Sequence, residues 1–179
     1  MTKTWTVAEY HRLGDEGILD DQPVELLDGE IVVMAPEGEP HAYGSDEAGE
    51  YLLRLLGERA KVRQAKPITL ADVDSEPEPD LAIVERLGRE YRDHHPYPDN
   101  VFWLVEYAQT SLRKDLEAKK RIYSEAGIPE YWVVNLQDMT VLVFRDPSAG
   151  TYRTERTLNA GVIHPLAFPD VAVSVRRLL

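Results

Sequence analysis

The chain has no cysteine, which excludes disulfides and thiolate-held metal. No apolar run approaches the roughly 18 residues that a membrane span needs. The opening residues Met1-Thr2-Lys3-Thr4-Trp5-Thr6 lack the apolar stretch of a secretory signal. Internal repeats, linkers and low-complexity tracts are absent as well. Basic charge is scarce: 20 Lys and Arg face 32 Asp and Glu, for a formal net charge of −12. That balance gives no general attraction to nucleic acid, where Lys and Arg contacts to phosphate usually supply the affinity. Work on a polyanion therefore requires a local basic patch, a metal ion or both. What remains is ordinary globular composition, 43% apolar and 29% charged over 179 residues. A single cytoplasmic domain over residues 1–179 is the expectation.

Thr6 followed by Val-Ala-Glu-Tyr-His-Arg-Leu predicts a capped short helix, with Glu9 closing a capping box. Val24–Leu27 and Glu30–Met34 flank Asp28-Gly29, the pair favoured in a type I′ hairpin turn. Pro36–Pro40 reads as a loop. From His41 to about Arg59, Ala48, Tyr51, Leu52, Leu55 and Leu56 recur on one face of an amphipathic helix. Val62–Leu70 predicts a strand, and the acidic stretch Asp72–Pro79 a solvated loop; it lacks the glycine and terminal glutamate of a calcium loop. Leu81–Val84 and Val101–Val105 are apolar strands, the second buried on both faces. Residues 85–100 read as a polar loop or a frayed helix in which His94 and His95 are solvated, as is His164 further on. After Ser111 a second helix runs to Ala126 and stops at Gly127, followed by strands at Tyr131–Val134, Thr140–Phe144 and Thr151–Thr157. The pattern is that of an α+β fold.

Three charges sit where apolar residues are expected. At about 100° per residue, and with Leu116 as zero, Tyr123 falls near −20°, Ala126 near −80° and Ile122 near −120°. Lys119 falls near −60°, in the middle of that stripe. A lysine there either snorkels to water or pairs with buried negative charge. Glu106 follows the most apolar strand and Asp80 precedes another. Antiparallel pairing of those two strands makes the two acids neighbours, and neighbouring buried carboxylates repel unless a cation joins them. Mg²⁺ is held by one or two carboxylates together with water and substrate phosphate. Asp, Glu and Lys around one ion can hydrolyse a phosphodiester, and the same three residues can also form a buried salt-bridge cluster without chemistry.

Pro79-Asp80-Leu81 and Val105-Glu106-Tyr107-Ala108 resemble the motifs of the PD-(D/E)XK nuclease superfamily. Val24–Glu30, the block from Glu106 through Asp115 and Lys119, and Tyr123–Val134 resemble a bacterial family within it, the Uma-type putative restriction endonuclease family. The resemblance covers nearly the whole chain. It implies a restriction-endonuclease-like α/β core, a mixed sheet flanked by helices with an N-terminal hairpin, and Mg²⁺ or Mn²⁺ held by Asp80 and Glu106. Superfamily members carry a lysine two residues after the glutamate. Ala108 stands there, and the resemblance assigns that lysine to Lys119 on the following helix. It also makes Glu25 an additional acid of the catalytic group and DNA the substrate. Gln109 occupies a position where relatives often carry Asp. His41, at a helix start, is a candidate phosphate contact. Arg113, Lys114 and Lys120, with Arg121, form the basic cluster expected to meet a nucleic-acid backbone. A homodimer fits an enzyme that cuts both strands, and a non-catalytic binding or assembly module is the alternative that the acidic net charge favours.

Overall fold

A computed structural model describes residues 4–108 and 113–179, and the side chains of these apart from 113–115. Helix α1 (Val7–Asp15) opens on the expected reciprocal cap, with the Thr6 hydroxyl accepting from the Glu9 N–H and the Glu9 carboxylate accepting from the Thr6 N–H. Strands β1 (Val24–Leu27) and β2 (Glu30–Val33) form an antiparallel hairpin. Its turn residues Asp28 and Gly29 have φ of 51° and 75°, the positive pair that the sequence implies.

Then follow α2 (Glu39–Leu56), β3 (Lys61–Gln64), β4 (Leu81–Val84), β5 (Val101–Ala108), α3 (Arg113–Glu125), β6 (Glu130–Asn135), β7 (Thr140–Ser148) and β8 (Thr151–Leu158). A short pair, β9 (Val162–Ile163) and β10 (Val173–Ser174), closes the chain. The main sheet has six strands in the order β3-β4-β5-β6-β7-β8. Its neighbours are antiparallel except β5 and β6, which run parallel and are bridged by α3.

Alternation along the strands divides the core. Leu81, Ile83, Trp103, Val105, Tyr107 and Trp132 pack under α2 and the C-terminal segment. Ala82, Val84, Leu104, Ala108, Tyr131 and Val133 pack under Ile122 and Tyr123 of α3. Glu106, between Leu104 and Ala108, therefore falls on the α3 face, where Lys119 also lies.

Several boundaries differ from the sequence expectation. α2 begins at Glu39, not His41, because Pro40 is tolerated in a first turn whose N–H groups lack partners anyway. Its buried row is Ala48, Leu52 and Leu56, while Leu55 in the last turn stays exposed. The strand expected over 62–70 ends at Gln64, since Ala65 turns to a φ of 44°. β7 extends through Pro147 to Ser148; beyond Arg145 it has only β8 as a neighbour, a position that can lack a donor. The stretch 72–79 is not simply a solvated loop. Ser75 and Glu76 are buried, Glu76 exchanges backbone hydrogen bonds with Leu26, and its carboxylate accepts from the Thr69 hydroxyl and contacts the His11 ring, both at 2.7 Å. Nor are His94 and His95 free in solvent: His94 stacks on Tyr97, and His95 lies 4.0 Å from Glu76. No helix among the described residues is long and apolar enough to cross a membrane.

Candidate active site

Asp80 immediately precedes β4, and the pairing of Leu81 with Val105 sets it beside the end of β5. One carboxylate oxygen accepts the Tyr107 N–H at 2.6 Å, and the other lies 2.9 Å from His41 Nε2. His41 comes from the first turns of α2. One turn later Gly44 lets the helix come this close: a Cβ there would stand 2.8 Å from Tyr107 Cε1.

On the other side, Lys119 Nζ donates to Glu106 Oε1 at 3.1 Å and pairs with Glu25 Oε2 at 3.2 Å. Lys119 is 8% exposed, so it is paired and not snorkelling. Tyr123, one helical turn beyond Lys119, donates its hydroxyl to Glu106 Oε1 at 2.7 Å. The Glu78 N–H donates to Glu25, which fixes β1 against this corner. A cavity of about 410 Å³ joins these groups, with Glu25, Glu37, His41, Asp80, Glu106 and Lys119 in its wall.

Crowded acids perturb one another. The Glu106 carboxyl is pushed up to about 7, first by burial and then by Asp80 and Glu25, with the Lys119 ammonium and the Tyr123 hydroxyl pulling the other way. Burial is the largest influence on Lys119 and acts to lower it. The charges of Glu106 and Glu25 outweigh burial and hold the ammonium above its ordinary value. His41 shows the same contest: burial lowers it, and the hydrogen bond and charge of Asp80 leave it raised. Burial lifts the Tyr123 hydroxyl well above its usual value, so it remains a donor.

The donor set suits a divalent cation. Among the described residues, five carboxylates (Glu25, Glu37, Glu78, Asp80 and Glu106) and an imidazole line the cavity with one ammonium, an excess of negative charge that a dication offsets. Asp80 and Glu106 are the residues that would hold it, and Glu37, His41 and Asp80 also bring three ligand atoms within 4.8 Å of one another.

The structure brings Asp80, Glu106, Lys119, Glu25 and His41 to one cavity. Lys120 is elsewhere, 4.3 Å over the Phe144 ring and 3.7 Å from Glu155. Arg121 pairs with Asp28 and Glu125. The side chains of Arg113 and Lys114, and Gln109, lie outside the described residues. Sequence reasoning missed Tyr123, whose place in an apolar stripe hides its hydroxyl, and Glu37, four residues before His41 in a Pro- and Gly-rich stretch. Glu37 precedes the helix, so no helical spacing to His41 announces it.

A solved structure has the same fold: the crystal structure of a putative nuclease belonging to DUF820 from Anabaena variabilis matches with a TM-score of 0.77 at 17% identity, over 97% of this chain and 96% of that one. The family model Uma2, "Putative restriction endonuclease", matches residues 7–176, and the chain belongs to that family. No curated protein matches it.

Proposed function

We propose that this protein is a metal-dependent endonuclease that hydrolyses phosphodiester bonds of DNA, with Asp80 and Glu106 holding Mg²⁺ or Mn²⁺. The observation that carries the reading is the approach of the buried Lys119 ammonium to Glu106 (3.1 Å) and Glu25 (3.2 Å) in the cavity that Asp80 also lines. Membership of the family described as "Putative restriction endonuclease" supports it. A dication held there supplies Lewis-acid polarisation of the scissile phosphate and makes water more acidic.

The chain's own groups do the rest. Lys119 stays protonated near neutral pH because Glu106 and Glu25 hold it high. It therefore donates hydrogen bonds, orienting the attacking water and stabilising charge that develops on the phosphate oxygens, and does not abstract a proton. Tyr123 and Lys119 hold one oxygen of Glu106 and fix the direction of the other. The Tyr107 N–H does the same for Asp80.

A second reading, a non-catalytic binding module in the same fold, is favoured by the net charge of −12 and by the engagement of Lys119, Lys120 and Arg121 with acids. Incubation of pure protein with plasmid or single-stranded DNA and Mg²⁺ or Mn²⁺ separates the two. Asp80→Ala and Lys119→Ala are expected to lose about 10²–10³ in rate. Cleavage that survives in both variants overturns the assignment, and the absence of cleavage in the wild type favours the module.

A further inference from the structure

We infer that the ion in this pocket has an imidazole ligand: His41, with Asp80 and Glu37, forms a mixed nitrogen and oxygen set that selects a first-row transition-metal dication over Mg²⁺. The inference rests on the hydrolase reading only for the presence of an ion. It removes His41 from the phosphate contacts, because its Nε2 faces a carboxylate and not an anion-binding space.

The geometry comes from two separate stretches of backbone. Glu37 stands just before α2, His41 is in its first turns, and Asp80 comes from the residue before β4. Their ligand atoms lie within 4.8 Å of one another, and His41 Nε2 is 2.9 Å from Asp80 Oδ1. Around an ion with bonds of about 2.1 Å, adjacent octahedral ligands are about 3 Å apart and opposite ones about 4 Å. The 2.9 Å contact thus matches one edge of such a shell, and the span of the three atoms is only slightly wider than the shell itself.

Glu106 is less free to complete the set alone. One of its oxygens already accepts from both Lys119 and Tyr123. The positive end of the α2 dipole points at this corner and opposes a cation, and the carboxylates of Glu37 and Asp80 offset it.

Ligand chemistry then sets the choice of ion. Mg²⁺ favours oxygen ligands and keeps its waters, whereas affinity for nitrogen-containing sites rises along the first transition series. A shell with one imidazole therefore ranks Co²⁺ above Mn²⁺ and both above Mg²⁺.

The test is calorimetric titration of Co²⁺, Mn²⁺ and Mg²⁺ into the full chain without nucleic acid, paired with pulsed electron paramagnetic resonance of the Mn²⁺ form. Wild type is expected to bind Co²⁺ at least about tenfold tighter than Mg²⁺ and to show ¹⁴N coupling to Mn²⁺. His41→Ala is expected to weaken Co²⁺ and Mn²⁺ about tenfold or more and to abolish the nitrogen coupling. His41→Asp, which restores an oxygen ligand, retains Mg²⁺ binding and collapses the Co²⁺ to Mg²⁺ ratio. Glu37 is exposed, so Glu37→Gln leaves the fold intact and weakens all three ions severalfold. Wild-type affinities in folded His41→Ala, or no nitrogen coupling in the wild type, overturn the inference, and unchanged affinities in Glu37→Gln overturn the three-residue set. A protein that passes this test and cleaves nothing refutes the hydrolase reading alone. One that cleaves DNA but shows no nitrogen ligand refutes the inference alone.

Discussion

Replacing Lys119 by Met removes the ammonium and keeps most of the side chain's volume. Glu106 and Glu25, both buried, then lose ion pairs of 3.1 and 3.2 Å. Removing one partner of a buried pair costs about 3–5 kcal/mol, because the remaining charge is left uncompensated. For a chain of this length that corresponds to a fall in Tm of about 6–20 °C. The deficit also depends on pH, in a direction the structure fixes. In the wild type the Lys119 value is raised, so its stabilisation is fully present below the unfolded lysine value and is lost only in strong alkali. Glu106 is raised to about 7, so its contribution to stability falls as pH rises from the ordinary carboxylate range toward 7. In Lys119→Met the influence that lowers Glu106 is gone, and the carboxyl must ionise unpaired or hold its proton. At about pH 5 it holds the proton at little cost; at about pH 8 it does so against a proton deficit, and the destabilisation is larger. Urea melts followed by circular dichroism, in chelator to exclude divalent ions, measure both. A deficit under about 1 kcal/mol at the higher pH, or the same deficit at both pH values, refutes the buried-pair account.

Tyr123→Phe removes a 2.7 Å donor from Glu106 Oε1, and the donor favours the charged form. The Glu106 carboxyl, followed by carbon-13 NMR in the metal-free protein, is then expected to titrate about one unit higher than in the wild type, and no rise contradicts the hydrogen bond. Glu130 is fully buried and holds the Trp132 indole at 2.8 Å, the Arg145 guanidinium at 2.7 Å and the Leu166 N–H at 2.7 Å. Glu130→Ala is expected to cost about 3–5 kcal/mol in denaturant melts, and a loss under about 1 kcal/mol speaks against that network as a clasp. Gly29 has a φ of 75°, and a Cβ there meets Thr4 Cβ at 3.0 Å and the Trp5 backbone at 3.3 Å. Gly29→Ala should lower stability by about 1–2 kcal/mol in thermal melts, and an unchanged Tm would mean that the hairpin relaxes.

Local rules made most of the fold legible. The Thr6 cap, the Asp28-Gly29 turn and the apolar runs of β4 and β5 each depend on neighbours a few residues away. The proximity of Asp80 to Glu106 follows from one antiparallel pairing, and the inward direction of Lys119 from one helical period. What stayed hidden depends on distant partners. Glu76 sits in an acidic stretch that reads as solvated, yet it is buried because His11, 65 residues earlier, and Thr69 satisfy its carboxylate. Lys120 covers Phe144 and reaches Glu155 on β8, contacts that no local pattern announces. The Glu37–His41–Asp80 corner depends on where α2 begins, and Pro40 disguised that start as loop.

The acidity that argues against nucleic acid is partly concentrated in the site itself. Among the described residues, Glu25, Glu37, Glu78, Asp80 and Glu106 line one cavity with a single ammonium, so without a dication the cavity repels a phosphate instead of attracting it. A bound dication and Lys119 together reverse that local sign, while the rest of the surface continues to repel polyanions at long range. Under the hydrolase reading, binding is therefore ordered, with the ion before the phosphate. Fluorescence anisotropy of a short, hydrolysis-resistant phosphorothioate oligonucleotide at low salt should detect no complex in chelator and a complex in Mn²⁺. Because repulsion between exposed charges is screened over about 10 Å at ~0.1 M salt, moderate salt should weaken this complex less than it weakens one held by a basic groove. Equal binding with and without the ion would show that the phosphate is held by some other surface, and the acids of the cavity would then need a purpose other than metal.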